Sequence, residues 1–119
     1  MPNQSPPLDR VFQALSDPTR RAVLQRLSLG AAAVSELAAP FEMALPSFLQ
    51  HLHVLERCGL VRSRKTGRVR TYRVAPAPLA AAEGWMTEQR ARWERRLDQL
   101  DEYLDELKTT HTPEPEEER

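Results

Sequence analysis

The sequence predicts a mainly α-helical domain that carries one small β-hairpin, with elements in the order α-α-α-α-β-β-α. Three observations support this fold class. Short apolar-periodic segments fill residues 8–58, two β-type runs flank Thr66-Gly67, and an apolar stripe at heptad spacing covers residues 86–107. A chain of 119 residues can bury one modest core, so we expect one folded domain over residues 8–108. Residues 1–7 and the acidic tail 109–119 are predicted to be disordered.

The first two helices are predicted from periodicity and from a capping signal. Apolar residues recur at i, i+3, i+4 and i+7 in the first helix: Leu8, Val11, Phe12 and Leu15. Asp17 suits the N-cap of the second helix, and Pro18 suits its first position, where the missing N–H costs nothing. We expect the second helix to run over RRAVLQRL and to end near Gly30.

The third and fourth helices are predicted to flank a tight turn. A short third helix covers residues 34–39 and stops at Pro40, the turn covers residues 41–45, and Pro46 opens the fourth helix. Gly59 ends the fourth helix as a left-handed stop. The predicted apolar stripe of that helix consists of Phe48, Leu49, Leu52 and Leu55.

A β-hairpin and a long helix complete the predicted domain. The runs at residues 60–65 and 68–74 flank Thr66-Gly67, a turn signal, and we expect Tyr72 and Val74 to point inward. The last helix is predicted from about residue 79 to 108, a length of about 45 Å at 1.5 Å per residue. Two helices around a tight turn followed by a hairpin make a winged helix-turn-helix.

Charge is segregated along a chain that is formally neutral, with 17 Lys and Arg against 17 Asp and Glu. Residues 1–74 hold eleven basic and five acidic residues, whereas residues 75–119 hold six basic and twelve acidic residues. Six cations and no acid fall within residues 62–73. The N-terminal part is therefore predicted to bind a polyanion.

The hairpin is predicted to be a wing that contacts the phosphate backbone or the minor groove of double-stranded DNA. Strand side chains alternate between faces, so we expect about four of its six cations to reach DNA. The alternative is a solvated strand edge protected by cations, but one or two lysines would serve that purpose. The predicted wing contacts are Arg64, Lys65, Arg68 and Arg70.

The N-terminal half of the fourth helix is predicted to read the major groove. Gln50 can bond an adenine edge bidentately, and Leu45 and Ala44 can touch thymine methyl groups. His51 either bonds a phosphate or base or lies half-buried at the helix seam. Arg20 and Arg21 are predicted to contact phosphates, with solvated charges as the alternative. The predicted reading residues are Ala44, Leu45, Ser47, Gln50 and His51.

The last helix is predicted to mediate dimerisation. Its stripe steps by four and three residues, as in a coiled-coil seam: Met86, Arg90, Trp93, Leu97, Leu100, Leu104 and Leu107. The alternative is packing onto the helix's own domain, which we expect for residues 79–85. The first half of the helix is basic and the second half is acidic, so we expect two copies to pack antiparallel.

Several classes of protein are disfavoured. The first ten residues lack a basic and an apolar region, so we expect no signal peptide, and no apolar run approaches the ~20 residues that span a membrane. The single cysteine cannot form an internal disulfide. We therefore expect a cytoplasmic protein. The sequence has no Gly-rich phosphate loop, no paired carboxylates in a cleft and no Cys/His nucleophile pattern, so we expect no enzyme.

Four segments together resemble the ArsR/SmtB-type bacterial repressors: ALSDPTRRAVLQRL (14–27), VSELA (34–38), LPSFLQHLHVLERCGLV (45–61) and GRVRTYRV (67–74). The resemblance covers about residues 8–107. It implies a homodimeric winged-helix repressor at a palindromic operator, often upstream of its own gene. It also implies a dimer interface from the first and last helices. The residues expected there are Leu8, Phe12, Met86, Trp93, Leu97, Leu100 and Leu104.

The sequence departs from the family in two respects. Leu49 stands where the family commonly has a hydroxyl residue, two before the histidine of the HLxVL pattern. The metal-sensing motifs are absent, because residues 36–39 contain no cysteine and the last helix has no histidine before His111. We therefore expect no metal and no cofactor. Cys58 is expected to be a buried residue that fills the end of the fourth helix, with redox sensing as the alternative.

The inducing signal, the operator and the regulated genes are not predicted. An unknown small-molecule inducer is compatible with the sequence. Trp85 and Trp93 either line a pocket for an apolar ligand or form interface core, which we favour. The alternative function is a protein-binding module that has lost DNA binding, for which Leu49 is the one indication.

Overall fold

The structure is a computed structural model that describes residues 6–111, with side chains described for residues 7–110. Its elements are α1 Pro6–Leu15, α2 Pro18–Leu27, β1 Ala32–Ala33, α3 Val34–Ala38, α4 Leu45–Arg57, β2 Val61–Thr66, β3 Val69–Val74 and α5 Pro76–His111. The predicted mainly helical fold with a small hairpin is confirmed, with one added strand, β1. The described chain forms two compact units that divide between Glu83 and Gly84.

Both terminal helices extend beyond their predicted starts. Helix α1 begins at Pro6 and α5 begins at Pro76, because proline is tolerated in the first turn of a helix, where no backbone N–H is needed. Helix α5 also continues to His111. Of the two tails predicted to be disordered, residues 1–5 and 112–119 lie outside the described residues.

The predicted cap of α2 is confirmed. The Asp17 side chain accepts a hydrogen bond from the Arg20 backbone N–H at 3.1 Å, and Pro18 occupies the first turn. Burial would raise the pKa of the Asp17 carboxyl. The Arg20 backbone N–H, the His51 and Arg20 charges and the Thr19 backbone N–H together outweigh that effect and lower the pKa below its usual value of 3.8. Asp17 is therefore held ionised at the start of α2.

The core of the first unit lies between α1–α4 and the sheet. Its largest fully buried side chains are Phe48, Leu37, Leu52, Leu55, Leu60, Val23 and Val61. Each such side chain contributes about 1.5–3 kcal/mol by leaving water. The prediction that Leu49 belongs to this stripe was wrong, since its side chain is 38% exposed. Leu49 lies about 100° around the helix from Phe48, outside the buried face.

A left-handed glycine ends α4, as predicted. Gly59 has φ 83°, and its N–H bonds the Glu56 carbonyl at 3.0 Å. The Leu60 N–H bonds the Leu55 carbonyl, also at 3.0 Å, which completes a Schellman motif. The chain therefore turns directly from α4 into β2, and this fixes where the hairpin leaves the helix.

The sheet has three antiparallel strands in the order β1-β3-β2. Ala32 pairs with Tyr72 and Ala33 with Thr71, so β1 covers the base of the hairpin and leaves its far end two-stranded. Directly paired residues share a face, which places Val61, Ser63 and Lys65 on one face and Arg62 and Arg64 on the other. Tyr72 is buried and Val74 half-buried on the inner face, as predicted.

The second unit, from residue 84 onward, is the remainder of α5 within the described residues. It exposes a row of large apolar side chains: Trp85, Met86, Trp93, Leu97, Leu100, Tyr103 and Leu104. Among residues 6–111, no helix combines the length and the apolar character that crossing a membrane requires.

Candidate nucleic-acid interface

The N-terminal part of α4, residues 44–51, presents an exposed surface that we call the reading end. Ala44 is the N-cap and offers no side-chain hydrogen bond. Ser47 and Gln50 are exposed, and within the described part of the chain neither side chain forms a hydrogen bond. Their polar groups are thus available to a ligand. A shallow cavity of about 330 Å³ lies beside them, lined by Arg20, Pro46, Ser47, Gln50, His51 and Val54.

Two leucines add an apolar component to the reading end. Leu45 is 53% exposed and Leu49 is 38% exposed, one helical turn apart. Leu49 and Gln50 are about 100° apart around the axis, so they flank the exposed face. The apolar periodicity assigned Leu49 to the core and therefore did not indicate an exposed position. The only sequence feature that singled out Leu49 was that the family commonly has a hydroxyl residue there.

His51 is held by two residues at the start of α2. The Arg20 Nη1 lies 3.1 Å from His51 Nδ1, and Asp17 Oδ2 lies 3.7 Å from the same nitrogen. The His51 side chain is 22% exposed, so it lies half-buried at the seam between α2 and α4. The structure thus places His51 at the seam, and its contact with a phosphate or base stays a prediction for the second ring nitrogen.

Arg20 and Arg21 both bond the C-terminal carbonyls of α1. Arg20 Nε donates to the Ala14 carbonyl at 2.8 Å, and its Nη2 donates to the Gln13 carbonyl at 3.1 Å. Arg21 Nη1 donates to the Leu15 carbonyl at 2.8 Å. The bonds to Ala14 and Leu15 satisfy carbonyls that a helix end leaves unpaired, whereas the Gln13 carbonyl also accepts from the Ser16 backbone N–H and hydroxyl. Sequence reasoning missed this role because it depends on a tertiary approach of α1 to α2; the phosphate contacts stay a prediction.

The far end of the hairpin, residues 64–70, carries the four predicted wing residues, and we call it the wing tip. Arg64, Lys65, Arg68 and Arg70 are all exposed, and Arg68 lies in the two-residue turn after Gly67. Gly67 has φ 64°, a conformation that glycine adopts freely. The wing tip therefore presents cations on both faces and at the turn.

Two pairs of like charges face each other across the hairpin. Lys65 pairs with Arg70, and Arg62 pairs with Arg73. Like charges directly opposite on neighbouring strands destabilise a sheet. The hairpin thus keeps an unfavourable arrangement in the absence of an anion, which is the electrostatic pattern expected of a polyanion-binding surface.

A chain of hydrogen bonds joins the wing to α4. Arg70 Nη1 donates to Ser63 Oγ at 2.8 Å, and Ser63 Oγ donates to Glu56 Oε2 at 2.7 Å. Burial raises the pKa of the neighbouring Tyr72 hydroxyl above its usual value of 10.0, and the Glu56 carboxylate adds to the rise. Arg70 therefore orients the hairpin on α4 as well as contributing charge.

The predicted dimer residues divide into two groups. Leu8 and Phe12 are half-buried against the core of the first unit. The five from α5 are exposed, from Leu104 at 46% to Trp93 at 66%.

Within residues 6–111, no group of three or more His, Cys, Asp and Glu is placed to hold a metal ion. Cys58 is half-buried, and its thiol bonds the Leu55 carbonyl at 3.4 Å.

Comparison with known proteins identifies relatives of this architecture. A family described as a helix-turn-helix domain matches residues 15–64. The chain is 47% identical over 73 residues to the HTH-type transcriptional regulator Rv2034 of Mycobacterium tuberculosis, covering 61% of this chain and 68% of that protein. It is 30% identical over 79 residues to the transcriptional repressor SdpR of Bacillus subtilis, covering 66% and 88% respectively.

Solved structures give the same result. The crystal structure of an ArsR family transcriptional regulator is 55% identical, with a TM-score of 0.74, and the match covers 79% of this chain and 97% of that one. An ArsR-like regulator from Rhodococcus sp. RHA1 is 33% identical, with a TM-score of 0.77 and coverage of 86% and 94%. The chain therefore belongs to the ArsR family and is a transcriptional regulator with a DNA-binding winged helix-turn-helix domain.

Proposed function

We propose that the chain is a homodimeric repressor that binds a palindromic operator in double-stranded DNA. The observation that carries the proposal is that the exposed side chains of Ser47 and Gln50, which form no hydrogen bond within the described residues, lie in the same unit as a basic wing tip. A relative is named a transcriptional repressor, and another, 35% identical, is the arsenical resistance operon repressor of Escherichia coli. We infer that such a repressor acts in the cytoplasm and is not an enzyme.

Base recognition is assigned to the reading end. Gln50 can bond an adenine edge bidentately, for about 1–3 kcal/mol of discrimination. Ser47 adds a hydroxyl, and Ala44, Leu45 and Leu49 offer apolar contacts for thymine methyl groups. His51, held by Arg20, presents its other ring nitrogen to a phosphate or base.

Phosphate contacts are assigned to Arg64, Lys65 and Arg68, with Arg70 in a second role. Arg70 already bonds Ser63, so its substitution would also disturb the orientation of the hairpin on α4. Arg21 keeps most of its N–H groups for a phosphate after bonding the Leu15 carbonyl. Arg20 has fewer left, because three of its nitrogens already have partners.

Dimerisation is assigned to the apolar row of α5 together with Leu8 and Phe12. A row of seven large apolar side chains that are each about half exposed or more is typical of an interface. A two-fold dimer places two reading ends in successive major grooves, about 34 Å apart, and this requires a palindromic site. No metal is assigned to the protein, because α3 lacks cysteine and α5 has no histidine before His111.

The test is a fluorescence-anisotropy titration of the protein against DNA from upstream of its own gene, beside a scrambled duplex of equal length. The matched variant is Arg64→Gln/Arg68→Gln, which removes two cations of the wing tip and leaves the Arg70–Ser63 bond in place. We expect tight, sequence-selective binding that this variant loses. Equal, weak binding to both duplexes, unchanged in the variant, would contradict the proposal and favour a protein partner for the wing tip.

A further inference from the structure

A second cavity, of about 330 Å³, lies where α1, α2 and the C-terminal end of α4 meet. It is lined by Arg10, Gln13, Arg20, Val54, Arg57 and Cys58. Its volume lies at the lower end of the range of small-molecule sites. We call it the arginine cavity, because three of its six lining residues are arginines. The DNA-binding role proposed above does not use Arg10, Arg57 or Cys58.

The positive charges of Arg10 and Arg57 in the arginine cavity are uncompensated, whereas the Arg20 charge also acts on the Asp17 carboxylate. None of its lining residues is acidic. Within the described part of the chain, the Arg10 and Arg57 guanidinium groups have no hydrogen bond or ion pair. Three like charges around one concavity repel each other, and a bound anion removes that repulsion. Guanidinium groups bind carboxylate and phosphate oxygens bidentately, which favours an organic oxyanion over chloride.

Arg20 connects the arginine cavity to the reading end. Both Arg20 and Val54 also line the cavity beside Ser47, Gln50 and His51. The Arg20 Nη1 that approaches His51 Nδ1 at 3.1 Å belongs to the same guanidinium that faces the arginine cavity. An anion that draws this planar group toward Arg10 and Arg57 weakens its contact with His51. The ligand and DNA then compete for one orientation of Arg20.

We propose that the arginine cavity binds a small organic anion bearing a carboxylate or phosphate group, and that this binding lowers DNA affinity through Arg20 and His51. The second half rests on the proposed DNA-binding function. The ligand would serve as an inducer, and the coupling is reciprocal, so operator DNA weakens anion binding by the same factor.

The site itself is tested without DNA. Cys58 lines the cavity and is the chain's single cysteine, so its alkylation reports on the cavity alone. The anionic reagent iodoacetate is compared with the neutral reagent iodoacetamide by mass spectrometry, at constant ionic strength maintained with chloride. We expect a higher iodoacetate-to-iodoacetamide rate ratio than for a free thiol, and protection by citrate or inorganic phosphate. Arg57→Gln is expected to lower the ratio about threefold, while the control Arg26→Gln leaves it unchanged.

Two results would overturn the anion site. One is a rate ratio equal to that of a free thiol, with no protection by citrate or phosphate. The other is protection of Cys58 that increases with protein concentration and does not depend on citrate. That result would indicate that acidic side chains of a second copy occupy the cavity. Neither result depends on DNA, so the proposed repressor function can fail while the anion site stands.

The coupling is then tested by operator titration in citrate and in chloride at equal ionic strength. We expect citrate to weaken wild-type binding at least about fivefold. Arg57→Gln is expected to keep its affinity in chloride and to lose the response to citrate. Protection of Cys58 by citrate with no change in operator affinity would overturn the coupling. Failure of operator binding in chloride alone would instead contradict the proposed function.

Discussion

The Arg20 guanidinium and the His51 ring, 3.1 Å apart at Nη1 and Nδ1, join the start of α2 to the helix proposed to read DNA. Arg20 also donates to two carbonyls at the end of α1, so one side chain ties three helices together. When Arg20 donates to His51 Nδ1, the ring proton lies on Nε2, and the imidazole presents a donor on its other side. The position of the reading end therefore depends on a residue outside it.

Arg20→Gln is predicted to destabilise the protein. It breaks up to three hydrogen bonds, two of them to carbonyls at the end of α1. We expect the free energy of unfolding to fall by about 2–3 kcal/mol in urea denaturation. Arg21→Gln is the matched control, since it removes the same charge and one such bond, and should cost less than about 1.5 kcal/mol. Equal losses in both variants would contradict the role assigned to Arg20.

Lys65→Glu is predicted to stabilise the protein while weakening its binding to DNA. It converts the like-charge pair with Arg70 into an attractive one, for about 0.2–1 kcal/mol. The same change places an acid in the wing tip, against the phosphates. Denaturation and operator titration are compared with those of Lys65→Gln, which removes the repulsion without adding an acid. A variant that gains stability and keeps wild-type affinity would show that Lys65 does not face DNA.

Leu49 is predicted to contact a thymine methyl group. Replacing each operator thymine in turn by deoxyuridine removes one methyl and nothing else. At the contacted position we expect about a fourfold loss of affinity, the worth of one buried methyl at about 0.8 kcal/mol. Leu49→Ala should bind the thymine and deoxyuridine duplexes equally at that position, while Leu45→Ala, the control, should retain the difference. If no replacement of thymine by deoxyuridine weakens binding of the wild-type protein, the predicted contact is contradicted.

Asp17 is predicted to make stability depend on acid pH. Its pKa in the folded protein lies below the usual 3.8, so its contribution is present above about pH 4 and is lost as pH falls through the folded value. Asp17→Asn keeps an N-cap acceptor without a titrating carboxyl. Its free energy of unfolding should fall less steeply than that of the wild type below pH 4. If the free energy of unfolding depends on pH in the same way for both proteins, the lowered pKa of Asp17 is contradicted.

Local signals explain what the sequence predicted correctly. Asp17-Pro18 marks the start of α2, and Gly59 marks the end of α4, since each signal acts within one turn of helix. Strand β1 was not predicted, because Ala32 and Ala33 form a strand only through their pairing with β3. Two alanines carry no β-pattern of their own.

The sequence predicted which residues form the candidate site better than it predicted the hydrogen bonds and contacts between them. The exposure of Ser47, Gln50 and the four wing-tip cations follows from polarity alone. The partners of Arg20 lie six, seven and 31 residues away, and only tertiary structure brings them together. The arginine cavity is likewise invisible in the sequence, since its residues come from three helices.

The central claim is that the reading end recognises the bases of the operator and the wing tip binds its phosphates. Its most direct test measures operator and scrambled-duplex affinity over a series of salt concentrations for wild type, Gln50→Ala and Lys65→Gln. We predict that Gln50→Ala loses selectivity for the operator, by about 1–3 kcal/mol, with its salt slope unchanged. Lys65→Gln should lower the slope of log K against log salt by about 0.9 and keep the selectivity ratio. Unchanged selectivity in the first variant together with an unchanged slope in the second would contradict the account.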